Sequence, residues 1–258
     1  MVERPAFIEA GKGAVPLVFL HGIGSDSSCF AREVAHFGQH RHAVAWDAPG
    51  YGASAFPARF DWATLAEALA ALLDFLGASK AIVYGHSMGG MIAQEFAARY
   101  PDRLAALALV GTTPAFGSKD GNFEKEFLGK RLGPLEAGRT LGDLAPELVK
   151  AMVGDNPNMA GLATAKAATS RLSPDTYRAA LKNLIGFDRK ADLANIKVPT
   201  LVLSGEKDPN APAKTMKRMA DTISGAMYRE IPGCGHLINL EQPEAHDAML
   251  EEFLATLP

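Results

Sequence analysis

Two rhythms of apolar positions alternate along this chain. Short continuous apolar runs close on turn residues in "VPLVFLHG" (15–22), "HAVAWDAPGYG" (42–52), "SKAIVYGHS" (79–87) and "LAALALVG" (104–111). "PTLVLSGEKD" (199–208) and "AMYREIPGCGH" (226–236) repeat that form later in the chain. These runs predict buried strands. Between them lie longer stretches with apolar residues every third or fourth position. "WATLAEALAALLDFLG" (62–77) ends on a glycine stop, and "MGGMIAQEFAARYP" (88–101) and "PEAHDAMLEEFLATL" (243–257) follow the same pattern. These predict helices. Strands separated by helices imply parallel βαβ units, so the expected fold class is α/β, with a mostly parallel central sheet flanked by helices.

The rhythm stops between about Pro114 and Lys190. "GNFEKEFLGKRLG", "APELVKAMVG" and "SPDTYRAALKNLIGF" are helical stretches separated by Gly and Pro, with no strand pattern among them. The expected organisation is a core domain from residues 1–113 and 191–258, interrupted by a helical insertion at 114–190. A chain of 258 residues can hold one such domain with an insertion.

Composition removes several function classes. Apolar residues at 48% and charged residues at 21% fit an ordinary globular protein with a large core. A net charge of −3 without any basic block argues against a nucleic-acid partner. Cys29 and Cys234 make neither a disulfide framework nor a CxxC pair, so free thiols in a reducing compartment are expected. "MVERPAFIEAGKG" lacks the apolar region of a secretory signal, and no apolar run reaches the roughly 18 residues of a membrane span. The expectation is a cytoplasmic protein with no membrane association, monomeric or homodimeric, needing no cofactor and no metal.

In parallel sheets, ligand sites lie beyond the carboxyl ends of the strands. His21, Asp47, Ser87, Asp208 and His236 all fall there. "GHSMG" fits G-x-S-x-G, a strand-to-helix elbow that projects a serine Oγ outward. Side chains at the glycine positions would collide with the neighbouring strand and helix. A serine hydroxyl needs a general base. His36, His40 and His42 lie in a polar stretch and are expected on the surface. His246, in the closing helix, is expected to face solvent or a partner residue. His21 reads as a loop brace, and His86 as fixed inside the elbow and pointing elsewhere. His236, on the loop after the last strand, is the expected base.

The base needs an acid to hold its tautomer, and Asp208 ends the preceding strand-loop unit. Asp47, in "DAPGYG", is the competitor, but its Pro and Gly neighbours indicate a turn role. The loop after "LAALALVG" carries no acid until Asp120, so it offers no rival. Two backbone donors are needed for a tetrahedral oxyanion. Met88, just after the serine, is one. Ile23, in "HGIGS", is the other, where Gly22 and Gly24 allow close approach of the backbone to a substrate.

Together "LVFLHGIGS", "WDAPGYGAS", "VYGHSMGG", "VPTLVLSGEKD" and "GCGHLINLEQPE" resemble the α/β-hydrolase superfamily along the whole chain except the insertion. The resemblance implies Ser87 as nucleophile, His236 as base, Asp208 as acid, and the Ile23 and Met88 amides as oxyanion hole. It also implies that the insertion is a helical cap over the pocket, and that the first strands of the sheet are reduced behind the short N-terminus. "HGIGSDSS" and "AWDAPGYGAS" are most similar to 3-oxoadipate enol-lactonases and related small esterases and lactonases. The expected substrate is then a small carbonyl compound, an ester or lactone with room for an apolar acyl part. Cofactor-free haloperoxidase-like esterases share the triad. Meta-cleavage product hydrolases, which break carbon–carbon bonds, are the alternative. They usually carry Asn before the nucleophile, where this chain has His86. Dehalogenase and epoxide-hydrolase relatives carry aspartate in place of Ser87. A ligand receptor without turnover is the alternative of another class. In the insertion, Met152, Met159 and Phe187 are candidates for the pocket wall, and Arg131, Arg139 and Arg171 for contact with an acidic substrate.

Overall fold

The computed structural model describes residues 3–117 and 121–258, so Asp120 lies outside the described residues. Seven strands form one sheet: β1 (Phe7–Ala10), β2 (Leu17–Leu20), β3 (Ala43–Trp46), β4 (Ala81–His86), β5 (Leu104–Val110), β6 (Thr200–Gly205) and β7 (Met227–Ile231). Their order is β1-β3-β2-β4-β5-β6-β7. All neighbours are parallel except the edge pair β1–β3. The mostly parallel α/β sheet is as expected; β1 is an addition. Its four residues "FIEA" are too short a pattern to read without the partner strand β3.

Each central strand is apolar on both sides because helices cover both faces. Alternate residues go opposite ways. Val18, Leu20, Val83, Leu107 and Leu109 join one cluster, with α2 (Trp62–Phe75), α3 (Met88–Arg99) and α8 (Ala213–Thr222). Leu17, Phe19, Tyr84, Ala106 and Ala108 join the other, with α1 (Ala31–Phe37) and α10 (Pro243–Leu254). Burying each Leu or Phe in these layers contributes roughly 1.5–3 kcal/mol. α2 starts where Asp61 accepts a hydrogen bond from the Thr64 amide at 2.8 Å, and its Leu65–Leu69–Leu72 stripe faces the sheet.

Between β5 and β6 the chain forms α4 (Asn122–Glu136), α5 (Leu141–Lys150), α6 (Met159–Arg171) and α7 (Pro174–Leu184). No strand interrupts them among the described residues. α9 (Ile238–Glu241) is a single turn that follows the loop of His236. Besides this short α9, three helices were not evident in the sequence. α1 lies in the stretch read as polar, α6 is rich in Ala and Thr, and α8 buries little beyond Met216, Met219 and Ala220. No helix among the described residues is long and apolar enough to cross a membrane.

Candidate active site

The elbow places Ser87 between β4 and α3 with φ 53° and ψ −118°, a backbone region that L residues rarely occupy. Strain there costs on the order of 1–3 kcal/mol and persists only where the surroundings enforce it. Here the Ser87 amide donates to the Val110 carbonyl at 3.0 Å, and the Ser87 carbonyl accepts from Thr112 Oγ1 at 2.8 Å. The two flanking glycines are sterically obligatory. A Cβ on Gly85 would lie 2.4 Å from the Gly89 carbonyl oxygen, and one on Gly89 would lie 2.1 Å from that of Leu20.

The strand ends bring Ser87, His236 and Asp208 together. Ser87 Oγ donates to His236 Nε2 at 2.9 Å, and His236 Nδ1–H donates to Asp208 Oδ2 at 2.8 Å. Asp208 Oδ1 accepts the amides of Asn210 at 2.7 Å and Ala211 at 2.9 Å. Burial alone pushes the Asp208 carboxyl up. The His236 charge and hydrogen bond, with the two amides, outweigh it and hold the group below the usual carboxylate range. In this arrangement a histidine can take a serine proton while a fixed carboxylate faces its other nitrogen.

The main chain of His236 is fastened on both sides. Its amide donates to the Met152 carbonyl at 2.7 Å, and its carbonyl accepts His86 Nε2–H at 2.7 Å. His86 therefore does point away from the serine, as expected, but to a use the sequence did not show. Burial, and next the His236 charge, hold its imidazole down to about 3 and keep it neutral. Glu241 is a second unforeseen member. Its carboxylate is 2% exposed and collects the amides of Gly154, Gly235 and Leu237 at 2.8, 2.9 and 2.8 Å. A glutamate in "LEQPE" reads as solvated, because Gly154 is 87 residues away in sequence.

The remaining candidates sort as follows. Asp47 takes the turn role, accepting the Ser27 amide at 2.8 Å and the Ala53 amide at 2.9 Å. His21 braces the loop, with Nε2 accepting from the Ala48 amide at 3.0 Å. His36 and His42 pair with Glu251 and Glu9 at the surface, and His40 is exposed. Of the two alternatives for His246, the partner residue holds: it is wholly buried between Asp247 and Tyr84, because α10 packs that side against the sheet. Met88 opens α3, so its amide is one of the first-turn donors left free by helix geometry.

A cavity of about 370 Å³ lies over the serine. Ser87, His236, Ile23, Thr112, Met152 and Arg131 are on its wall, beside a larger apolar area that includes Phe116, Leu148 and Leu181. Its volume sits at the small end for ligand pockets. Met152 is thus in the wall. Met159 is 70% exposed on the outside of α6, and Phe187 is buried against Trp62 with ring centroids 4.7 Å apart. Arg139 pairs with Glu147 and Arg171 with Asp26, so of the three arginines Arg131 alone lines this cavity.

Glu33, His246 and Asp247 are grouped like metal ligands, with donor atoms within 4.8 Å of one another. They do not line the cavity. The Arg32 guanidinium, 2.6 Å from Asp247, already brings positive charge to them.

Residues 17–246 match the model of the alpha/beta hydrolase family. The chain is 29% identical to the pimeloyl-[acyl-carrier protein] methyl ester esterase of Chromobacterium violaceum, over 97% of this chain and 98% of that protein. Among solved structures, it is similar to a thermophilic esterase from Thermogutta terrifontis, solved with malate bound. That match has a TM-score of 0.87 and 28% identity, covering 98% of this chain and 93% of the other. It is also similar to the enol-lactonase from Burkholderia xenovorans LB400, with a TM-score of 0.85 and 25% identity over 97% of this chain and 96% of the other.

Proposed function

The chain belongs to the alpha/beta hydrolase family and is an ester-bond hydrolase, and from that premise we propose that it cleaves a small carboxylic ester or lactone through an acyl-enzyme. One observation carries this reading: the Ser87–His236–Asp208 chain meets a cavity whose wall is mostly apolar. Ser87 Oγ attacks the substrate carbonyl carbon while His236 Nε2 takes its proton. The negative charge that forms on the carbonyl oxygen is received by the Ile23 and Met88 amides. Collapse of that intermediate expels the alcohol, which leaves with the proton from His236. Water then gives its proton to the same nitrogen, attacks the acyl carbon and releases the acid and Ser87. In a lactone, alcohol and acid are the two ends of one product.

The apolar wall favours an acyl part without bulky polar groups, and the named relatives with esterase and enol-lactonase activity support the same bond type. Residues 114–190 act as the cap in this reading, because α4 and α7 supply Phe127 and Leu181 to the cavity wall. The test is Ser87→Ala assayed against p-nitrophenyl esters, enol-lactones and vinylogous diketones. The expected result is loss of ester or lactone turnover by roughly 10⁵–10⁶ at an unchanged melting temperature. Activity like that of the unaltered protein refutes the reading. A preference for the diketones redirects it to carbon–carbon hydrolysis.

A further inference from the structure

We propose that Arg131 and Tyr177 form an anion-recognition site in the cavity wall, so that the substrate is an ester or lactone carrying a carboxylate away from the bond that is cleaved. The proposal rests on the hydrolase reading above and narrows its substrate class.

Two observations carry it independently. Arg131 is the one Arg or Lys among the described residues that line the cavity. It lies over the Phe127 ring, 5.5 Å from the centroid. No carboxylate pairs with it among the described residues, whereas Arg139 and Arg171 are paired with acids elsewhere. A guanidinium held in an apolar wall without a counter-ion attracts an anion more strongly than one in water. Its planar fork matches both oxygens of a carboxylate.

Tyr177 is the second observation. The residue is 2% exposed and lines the same cavity, and its buried hydroxyl finds no acceptor for its proton. A buried donor left unpaired costs on the order of 1–3 kcal/mol. Burial raises the phenol above its usual range, while the Arg131 charge and a hydrogen bond from Arg131 work in the opposite direction, which places the two groups side by side. The pair therefore sets a cation on the cavity wall and a free O–H just behind it, with no acid among the lining residues. The hydroxyls of Thr112 and Thr113, on the same wall, are already spent on the carbonyls of Ser87 and Ala115. Phe116, Leu148 and Leu181 provide the apolar stretch along which a hydrocarbon spacer separates carboxylate from ester.

The experiment uses two matched pairs: monoethyl adipate against ethyl hexanoate, and 4-acetoxybutanoate against butyl acetate. The first puts the carboxylate on the acyl side and the second on the alcohol side. The unaltered protein is expected to favour the anionic member of at least one pair by ten-fold or more in kcat/KM, mainly through KM, and less so as salt is raised. Arg131→Gln brings that ratio close to one, Arg131→Lys keeps part of it, and Tyr177→Phe lowers it several-fold. Binding of monoethyl adipate to Ser87→Ala protein, by calorimetry with and without Arg131→Gln, reads the same site without turnover. Weaker binding after Arg131→Gln supports the site even where the hydrolase reading fails. A neutral preference in both pairs, or a proportional loss on anionic and neutral esters, overturns it; so does equal binding with and without Arg131→Gln.

Discussion

Ser87, His236 and Asp208, at the strand ends, have a near-copy under the sheet face that α10 covers. Tyr84 Oη donates to His246 Nε2 at 3.0 Å, and His246 Nδ1–H donates to Asp247 Oδ1 at 2.9 Å. The two hydroxyl–histidine–aspartate chains have the same order and nearly the same distances, and both hydroxyls arise at β4 or its end. Their surroundings differ. Ser87 sits on a strained elbow beside a cavity, whereas Tyr84 sits mid-strand and wholly buried, where burial pushes its phenol well up. His236 rides on a loop fastened by His86, Met152 and Glu241, and its Nε2 meets the cavity. His246 is locked in the middle of α10 and wholly buried. Asp247 is also taken by Arg32 at 2.6 Å. Hydrogen-bond geometry alone does not make a triad. Access to a substrate and a primed hydroxyl do.

The sharpest way to break this comparison is to disable each aspartate–histidine pair and ask what is lost. Asp208→Asn is expected to lower kcat by about 10⁴ while the protein stays folded, since the imidazole loses its orienting carboxylate. Activity within a few-fold of the unaltered protein would refute that role. His246→Ala is expected to do the reverse. Breaking a buried pair costs about 3–5 kcal/mol in unfolding free energy, while the remaining folded protein keeps its kcat. A large kcat loss with little change in urea midpoint would make the inner chain catalytic.

The smallest effect concerns the histidines that frame the two chains. His86 is held down to about 3 and His21 is also lowered, in each case mainly by burial. The unfolded chain binds a proton on each near pH 6.5, where the folded protein does not. Stability is therefore full above that pH and falls as the pH drops toward the folded values, by about 1.4 kcal/mol per pH unit for each such histidine. Urea unfolding at pH 7, 6 and 5 measures this slope, and His86→Asn should reduce it. An unchanged slope in that variant would show that His86 is not held neutral.

Much of the site was legible because its chemistry is written in short local patterns. The elbow needs glycines at fixed offsets, and the acid and base each end a strand-loop unit. Less legible were parts whose reason lies across the fold. His246 was expected to face solvent or a partner residue, and the helical spacing of α10 alone could not tell that its side faces a second buried polar cluster. There Glu33 has both carboxylate oxygens buried without a hydrogen-bond donor, with the Arg32 guanidinium 3.7 Å from one of them. Glu241 looks like any surface glutamate until Gly154 arrives from the insertion. α6 and α8 lack the wide apolar stripe that marks α2, because α6 packs through Leu162, Ala165, Ala168 and Thr169, and α8 through Met216, Met219 and Ala220. Met159 stands at the solvent side for the same reason.

The stitching around His236 bears on how such proteins can be recombined. Met152 and Gly154 belong to the 114–190 stretch, yet their backbone holds the histidine loop through the His236 amide and Glu241. Exchanging that stretch as a cassette would import a foreign anchor for the base along with a new wall. A chimera cut on either side of residues 152–154, leaving that strip native, keeps the anchor and trades the wall alone.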